Sequence, residues 1–104
     1  MDNSTNFENK MIDEVKRVVL DMLGSEPVKI VLFGSRTSKR HNRFSDIDIG
    51  VLPGSSGFNS IKLVLLREKL ENINIPYKVD VVNLSRTTDK FRETALKNSV
   101  VWKS

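Results

Sequence analysis

The sequence contains no cysteine and a single histidine, His41, among 104 residues. Without cysteine there is no disulfide scaffold, thiolate zinc site, iron–sulfur cluster or thiol nucleophile. Aromatics make up 7% of the chain, which weighs against a single-strand nucleic-acid binder built on base stacking. No apolar run approaches the ~18 residues of a membrane span, so no membrane association is expected. The opening Met-Asp-Asn-Ser-Thr-Asn lacks a basic n-region and an apolar h-region; no signal peptide is expected, and a cytoplasmic location is. Neither a Walker motif nor a Gly-x-Gly-x-x-Gly run occurs, which excludes the standard mononucleotide and dinucleotide loops.

What is present describes a small globular domain. The chain is 38% hydrophobic and 29% charged, too apolar for disorder and too short for a second core, so one domain over 1–104 is expected. Seventeen Lys+Arg against thirteen Asp+Glu leave a net charge of +4. That surplus is a general pointer to nucleic acid and no more. It is concentrated: Arg36, Lys39, Arg40 and Arg43 fall within ten residues that hold no acid, immediately before Asp46 and Asp48.

Periodicity predicts a helix over 6–23, closed by Gly24 and Pro27, with Phe7, Met11, Val15, Val18, Val19 and Met22 on its apolar face. The β-branched run 28–33 predicts a buried strand, and the alternation over 46–52 predicts a second. Pro53 to Gly57 has loop composition. A helix is expected over about 59–72 and a third strand over 77–82. A last helix begins near Thr88-Asp89, with Phe91, Ala95 and Leu96 turned inward. Val100-Val101-Trp102 reads as a terminal strand or a packed tail. The order predicts an α/β or α+β fold, a small sheet with helices packed on it.

The chemistry concentrates in the second strand. Asp46 and Asp48 stand two apart, so a strand places both carboxylates on one face, about 6–7 Å apart. Ile47, Ile49 and Val51 then point to the opposite, buried face. Gly50 continues the acidic face without a side chain, which reads as space for a ligand. Like charges so close repel unless a cation lies between them, and rigidly mounted carboxylates suit a divalent metal. The alternative is an ordinary solvent-facing edge strand. Asp80, alone in the Val79-Asp80-Val81-Val82 run, joins the pair if the second and third strands are neighbours; otherwise it is an exposed residue or a partner of Lys78. Three carboxylates can hold two Mg²⁺ ions about 3.5–4 Å apart, the clamp used for displacement at phosphorus. Gly34-Ser35 directly follows the first strand, where backbone N–H groups and the Ser35 hydroxyl can cradle a phosphate.

Gly34-Ser35-Arg36, followed by Ser45-Asp46-Ile47-Asp48 and by Asp80 in a Val-Asp-Val strand, resembles the nucleotidyltransferase superfamily related to DNA polymerase β. Within it the chain resembles the minimal nucleotidyltransferase (MNT) group, typically encoded beside a HEPN-domain protein. The resemblance extends over nearly the whole chain, with Lys39 standing where a second Gly is common. It implies a polymerase β palm-like fold. It also implies that Gly34 and Ser35, assisted by Arg36, bind the β- and γ-phosphates of ATP or another nucleoside triphosphate. Asp46, Asp48 and Asp80 would hold Mg²⁺, Asp80 would assist deprotonation of the acceptor hydroxyl, and Ser45 would support the turn into the strand. The implied reaction moves a nucleoside monophosphate, AMP from ATP, to a hydroxyl such as a tyrosine of the HEPN partner, the chain acting as antitoxin. Two alternatives stand beside it: a non-catalytic antitoxin that neutralises a HEPN ribonuclease by complex formation, and a nucleic-acid-binding domain, the least favoured. A homo-oligomer is left open, and His41 is read as exposed or as a phosphate contact.

Overall fold

The computed structural model describes residues 3–34, 46–54 and 58–104. The chain runs through α1 (Asn3–Leu23), β1 (Val28–Phe33), β2 (Ile47–Pro53), α2 (Ile61–Glu71), β3 (Val79–Asn83), α3 (Asp89–Lys97) and β4 (Val100–Lys103), with a short 3-10 turn at Leu84–Arg86. The fold is mixed α+β, as expected. Helix α1 begins three residues earlier than its apolar period indicates, and β3 begins at Val79, two residues later than predicted. The tail, left open between two states by the sequence, is a strand.

The four strands form one sheet in the order β3-β2-β1-β4. Strand β1 is antiparallel to β2 and to β4, whereas β2 and β3 are parallel. A parallel pair needs a long crossover, which the chain from Gly54 to Lys78 supplies with α2. Helix α1 reaches the sheet through a tight connection: Gly24 N donates to Leu20 O at 2.8 Å and Val28 N to Glu26 O at 2.8 Å. The ammonium of Lys62 meets Glu26 at 2.7 Å and ties the start of α2 to the same connection.

Strand alternation divides the sheet into two faces. Ile30, Leu32, Ile47, Ile49, Val51 and Val81 point to one face, where they pack against Val15, Val18, Val19 and Leu23 of α1 and Leu63, Leu66 and Leu70 of α2. Each such aliphatic side chain contributes about 1.5–3 kcal/mol through burial, so this layer dominates stability. Val31 and Phe33 point to the other face, against Leu84 and Ala95. Phe91, expected inside, is 45% exposed; its ring meets Phe33 edge-on, with centroids 6.0 Å apart. Of the apolar residues that mark α2, only Leu63, Leu66 and Leu70 are buried. Ile61, Val64 and Leu65 face outward, because Leu63, Leu66 and Leu70 on successive turns form the one helix face that packs on the core, and the remaining positions lie off it.

Gly50 corrects a reading of the sequence. A Cβ there would lie 2.8 Å from Cδ1 of Leu84, 3.0 Å from Cγ2 of Val31 and 3.2 Å from Cδ1 of Phe33. The missing side chain is filled by protein, so Gly50 lets the 3-10 turn pack on the sheet and leaves no room for a ligand.

Candidate active site

The acidic residues sit at the end of the second face, beside Phe33 of its small apolar layer. Asp48 lies on β2 opposite Phe33, the last residue of β1. On its other side Asp48 is the register partner of Asp80 on β3. The condition on Asp80 is therefore met: β2 and β3 are neighbours, and the two carboxylates leave adjacent strands at the same level on the same face. Asp46 stands immediately before β2, which begins at Ile47 rather than at Asp46. Ile47, Ile49 and Val51 are fully buried on the opposite face, which fixes the direction of Asp48 through the two-residue period of the strand.

Gly34 comes directly after β1 and closes the other side of Asp48. Its φ of 84° is the only positive φ among the described residues, a conformation that costs an L side chain roughly 1–2 kcal/mol. A Cβ at Gly34 would also lie 2.4 Å from Oδ2 of Asp48. The sequence marked Gly34 as a point of close backbone approach; the carboxylate of Asp48 is what approaches.

Burial raises the Asp48 carboxyl above its ordinary value, and the negative charges of Asp80 and Asp46 push it further in the same direction. Asp80 and Asp46 thus act electrostatically on Asp48 at one end of the sheet. Lys78 lies 3.9 Å from Asp80; this contact was the sequence's alternative role for Asp80, and it coexists with the position beside Asp48. The donor type, carboxylate oxygens from register partners on adjacent strands, is the kind a hard divalent ion takes. The side chains as they stand are not gathered round an ion, since no group of three carboxylate or histidine residues among the described residues has that closure.

Ser35, Arg36 and Ser45 lie outside the described residues, as do Lys39, Arg40, His41 and Arg43. One residue at the site had no sequence signal. Arg67 of α2 donates to the Val81 carbonyl of β3 through Nε at 3.2 Å and Nη2 at 2.8 Å. A single arginine in a helix with Lys62 and Lys69 looks like ordinary surface, and only the packing of α2 beside β3 selects it.

Beyond the carboxylates the chain turns sharply back. The Asn83 side chain accepts from the Ser85 amide at 3.0 Å, and Thr88 caps α3 by accepting from the Phe91 amide at 3.1 Å. Arg92 pairs with Asp89 and donates to the Leu84 carbonyl. These local bonds fix the 3-10 turn over Gly50 and hold β3 in register beside β2. No described helix is long and apolar enough to cross a membrane.

The architecture is similar to that of several solved structures. A structure described as a minimal nucleotidyltransferase superposes with a TM-score of 0.68 at 21% identity, over 88% of this chain and 92% of that one. A toxin–antitoxin crystallised with AMP-PNP gives 0.62 at 24% identity, over 84% and 71%. The Shewanella oneidensis complex of a tri-AMPylated HEPN toxin with its MNT antitoxin gives 0.57 at 24% identity, over 95% and 71%. At such identities the likeness shows the fold. No curated protein sequence matches the chain. The family model described as "Polymerase beta, Nucleotidyltransferase" matches residues 14–104. This span contains Gly34, the three aspartates and all four strands, and the chain belongs to that nucleotidyltransferase family.

Proposed function

We propose that the chain is a single-domain nucleotidyltransferase that moves AMP from ATP to a hydroxyl of a HEPN-domain partner, a tyrosine side chain, and thereby acts as an antitoxin. The observation that carries this reading is the row Gly34–Asp48–Asp80 across three adjacent strands. Gly34 and the Ser35-Arg36 segment after it would receive the β- and γ-phosphates, with Ser45 supporting the return into β2. Asp46, Asp48 and Asp80 would hold Mg²⁺, which when bound would neutralise the triphosphate and the charge developing at phosphorus. Asp80, at the outer end of the row, would accept the hydroxyl proton. Most of this catalysis is positioning and charge neutralisation, so the chain needs no cysteine or histidine nucleophile. A reaction that consumes ATP agrees with the cytoplasmic location expected from the sequence.

The similar toxin–antitoxin complexes support a HEPN partner. The outward Ile61, Val64 and Leu65 of α2 favour protein association as well, and sequestration without chemistry is the second reading. One experiment separates the two. The chain is incubated with Mg²⁺, labelled ATP and the neighbouring HEPN protein, and the HEPN protein is then examined by mass spectrometry. An added AMP that disappears with Asp46→Asn and Asp48→Asn supports the enzyme. Neutralisation that persists in both variants without any added nucleotide supports sequestration.

A further inference from the structure

Among the described residues, strand β3 ends the sheet and no strand pairs with its outer side. Two hydrogen bonds show which of its backbone groups face outward. The Lys78 carbonyl accepts from the Ile47 amide at 2.9 Å and so points to β2. Backbone groups of successive strand residues alternate sides, so those of Val79 and Val81 point away from the sheet. The Val81 carbonyl agrees, since it receives the Arg67 guanidinium from α2. Alongside this outward row lies a groove of about 360 Å³ lined by Arg67, Leu70, Ile73, Ile75, Tyr77 and Asp80, among others.

Asp80 borders both this groove and the candidate site. The opposite end of the carboxylate row is closed by Gly34 and β1, which leaves the β3 side for a second substrate. A row of peptide N–H and C=O groups is matched by another peptide backbone. We propose that the hydroxyl acceptor arrives as a short extended polypeptide segment that adds to the outer edge of β3. This rests on the nucleotidyltransferase reading above and specifies its acceptor.

The register makes the acceptor's pattern specific. A residue paired beside Asp80 projects from the same face as the Asp80 carboxylate. Its two neighbours project from the other face, over Leu70, Ile73, Ile75 and Tyr77. The recognised segment is therefore a hydroxyl residue between two apolar residues. Arg67 occupies the Val81 carbonyl and ends the pairing there, which keeps the hydroxyl level with Asp80. In the transfer its oxygen bonds to the α-phosphorus, the bond to pyrophosphate breaks, and the hydroxyl proton passes to the Asp80 carboxylate and on to water.

Val79→Pro removes an outward amide at the first position of an edge strand, where proline is tolerated. Tested with the co-expressed HEPN protein, labelled ATP and Mg²⁺, this variant should lose label transfer by at least about tenfold, the equivalent of ~1.4 kcal/mol of docking. Its rise in melting temperature with ATP and Mg²⁺ should match that of the wild type. A second measurement needs no substitution: in the wild-type complex with the HEPN protein and AMP-PNP, the Val79 and Val81 amides should exchange with deuterium at least about tenfold more slowly than in the free chain. Wild-type transfer rates in a folded Val79→Pro variant overturn the proposal, as do unchanged exchange rates at both amides in a complex that transfers label. Failure of the underlying reading looks different: the wild type then transfers no label at all, and the two amides alone decide the docking.

Discussion

The position of a Cβ on Gly34 would be 2.4 Å from Oδ2 of Asp48, closer than any non-bonded contact allows. The end of β1 and the acidic strand β2 are thereby fitted to each other through a missing side chain. Gly34→Ala meets two penalties, the positive φ and the collision. It should lower stability by about 1–2 kcal/mol and abolish the rise in melting temperature with ATP and Mg²⁺. Thermal denaturation with and without nucleotide measures both; an unchanged nucleotide response would remove Gly34 from the phosphate site.

Asp48 gives a pH prediction. Its carboxyl is raised above the ordinary 3.8 by burial and by Asp80 and Asp46. The folded chain therefore holds this proton to higher pH than the unfolded chain does. In the window above 3.8 the native state binds more protons, so stability falls as pH rises through the folded value. In EDTA, Asp48→Asn should flatten that fall and melt a few degrees higher than wild type at pH 7. Added Mg²⁺ should raise the wild type far more than the variant. A variant less stable than wild type at pH 7 in EDTA would contradict the sign.

Gly50 tests packing against ligand space. Gly50→Ala should cost about 1–3 kcal/mol by overpacking against Leu84, Val31 and Phe33. Urea denaturation should show a lower midpoint with the same slope. The affinity of the remaining folded protein for ATP and Mg²⁺ should be unchanged. A loss of affinity without a loss of stability would restore the reading in which Gly50 faces a ligand.

Thr88 holds the first turn of α3 through its bond to the Phe91 amide. Thr88→Ala should cost about 1 kcal/mol, the usual value of an N-cap side chain. Helix α3 packs over β1 through Ala95 and Phe91 and supplies none of the candidate site residues, so AMP transfer should persist at temperatures below the lowered melting point.

The elements whose cause is local were legible in the chain. Strand β1 is a β-branched run bounded by Pro27 and Gly34, and it lies where the pattern puts it. The facing of Asp48 opposite to Ile47 and Ile49 follows from a period of two and needs no knowledge of the rest. Thr88 announces α3 because capping depends only on residues within one turn. Misreadings came where a non-local neighbour decides. Gly50 looked open because the sequence cannot show Leu84 folding back over it. Phe91 looked interior because apolar character does not say which positions of a helix reach the sheet.

By itself the sequence determined which residue types could do chemistry, and that they were carboxylates and glycine rather than cysteine or histidine. It also determined that Asp46 and Asp48 stand two apart where the second strand starts, because spacing along the chain is local. Only the tertiary structure decided that Asp80 joins them, since strand order and register depend on the crossover through α2 and on burial of Ile49 and Val81 at one level. The same packing brought Gly34 against Asp48 and, among the described residues, left β3 at the edge of the sheet beside the groove that Asp80 borders, relationships between distant segments that no local pattern encodes.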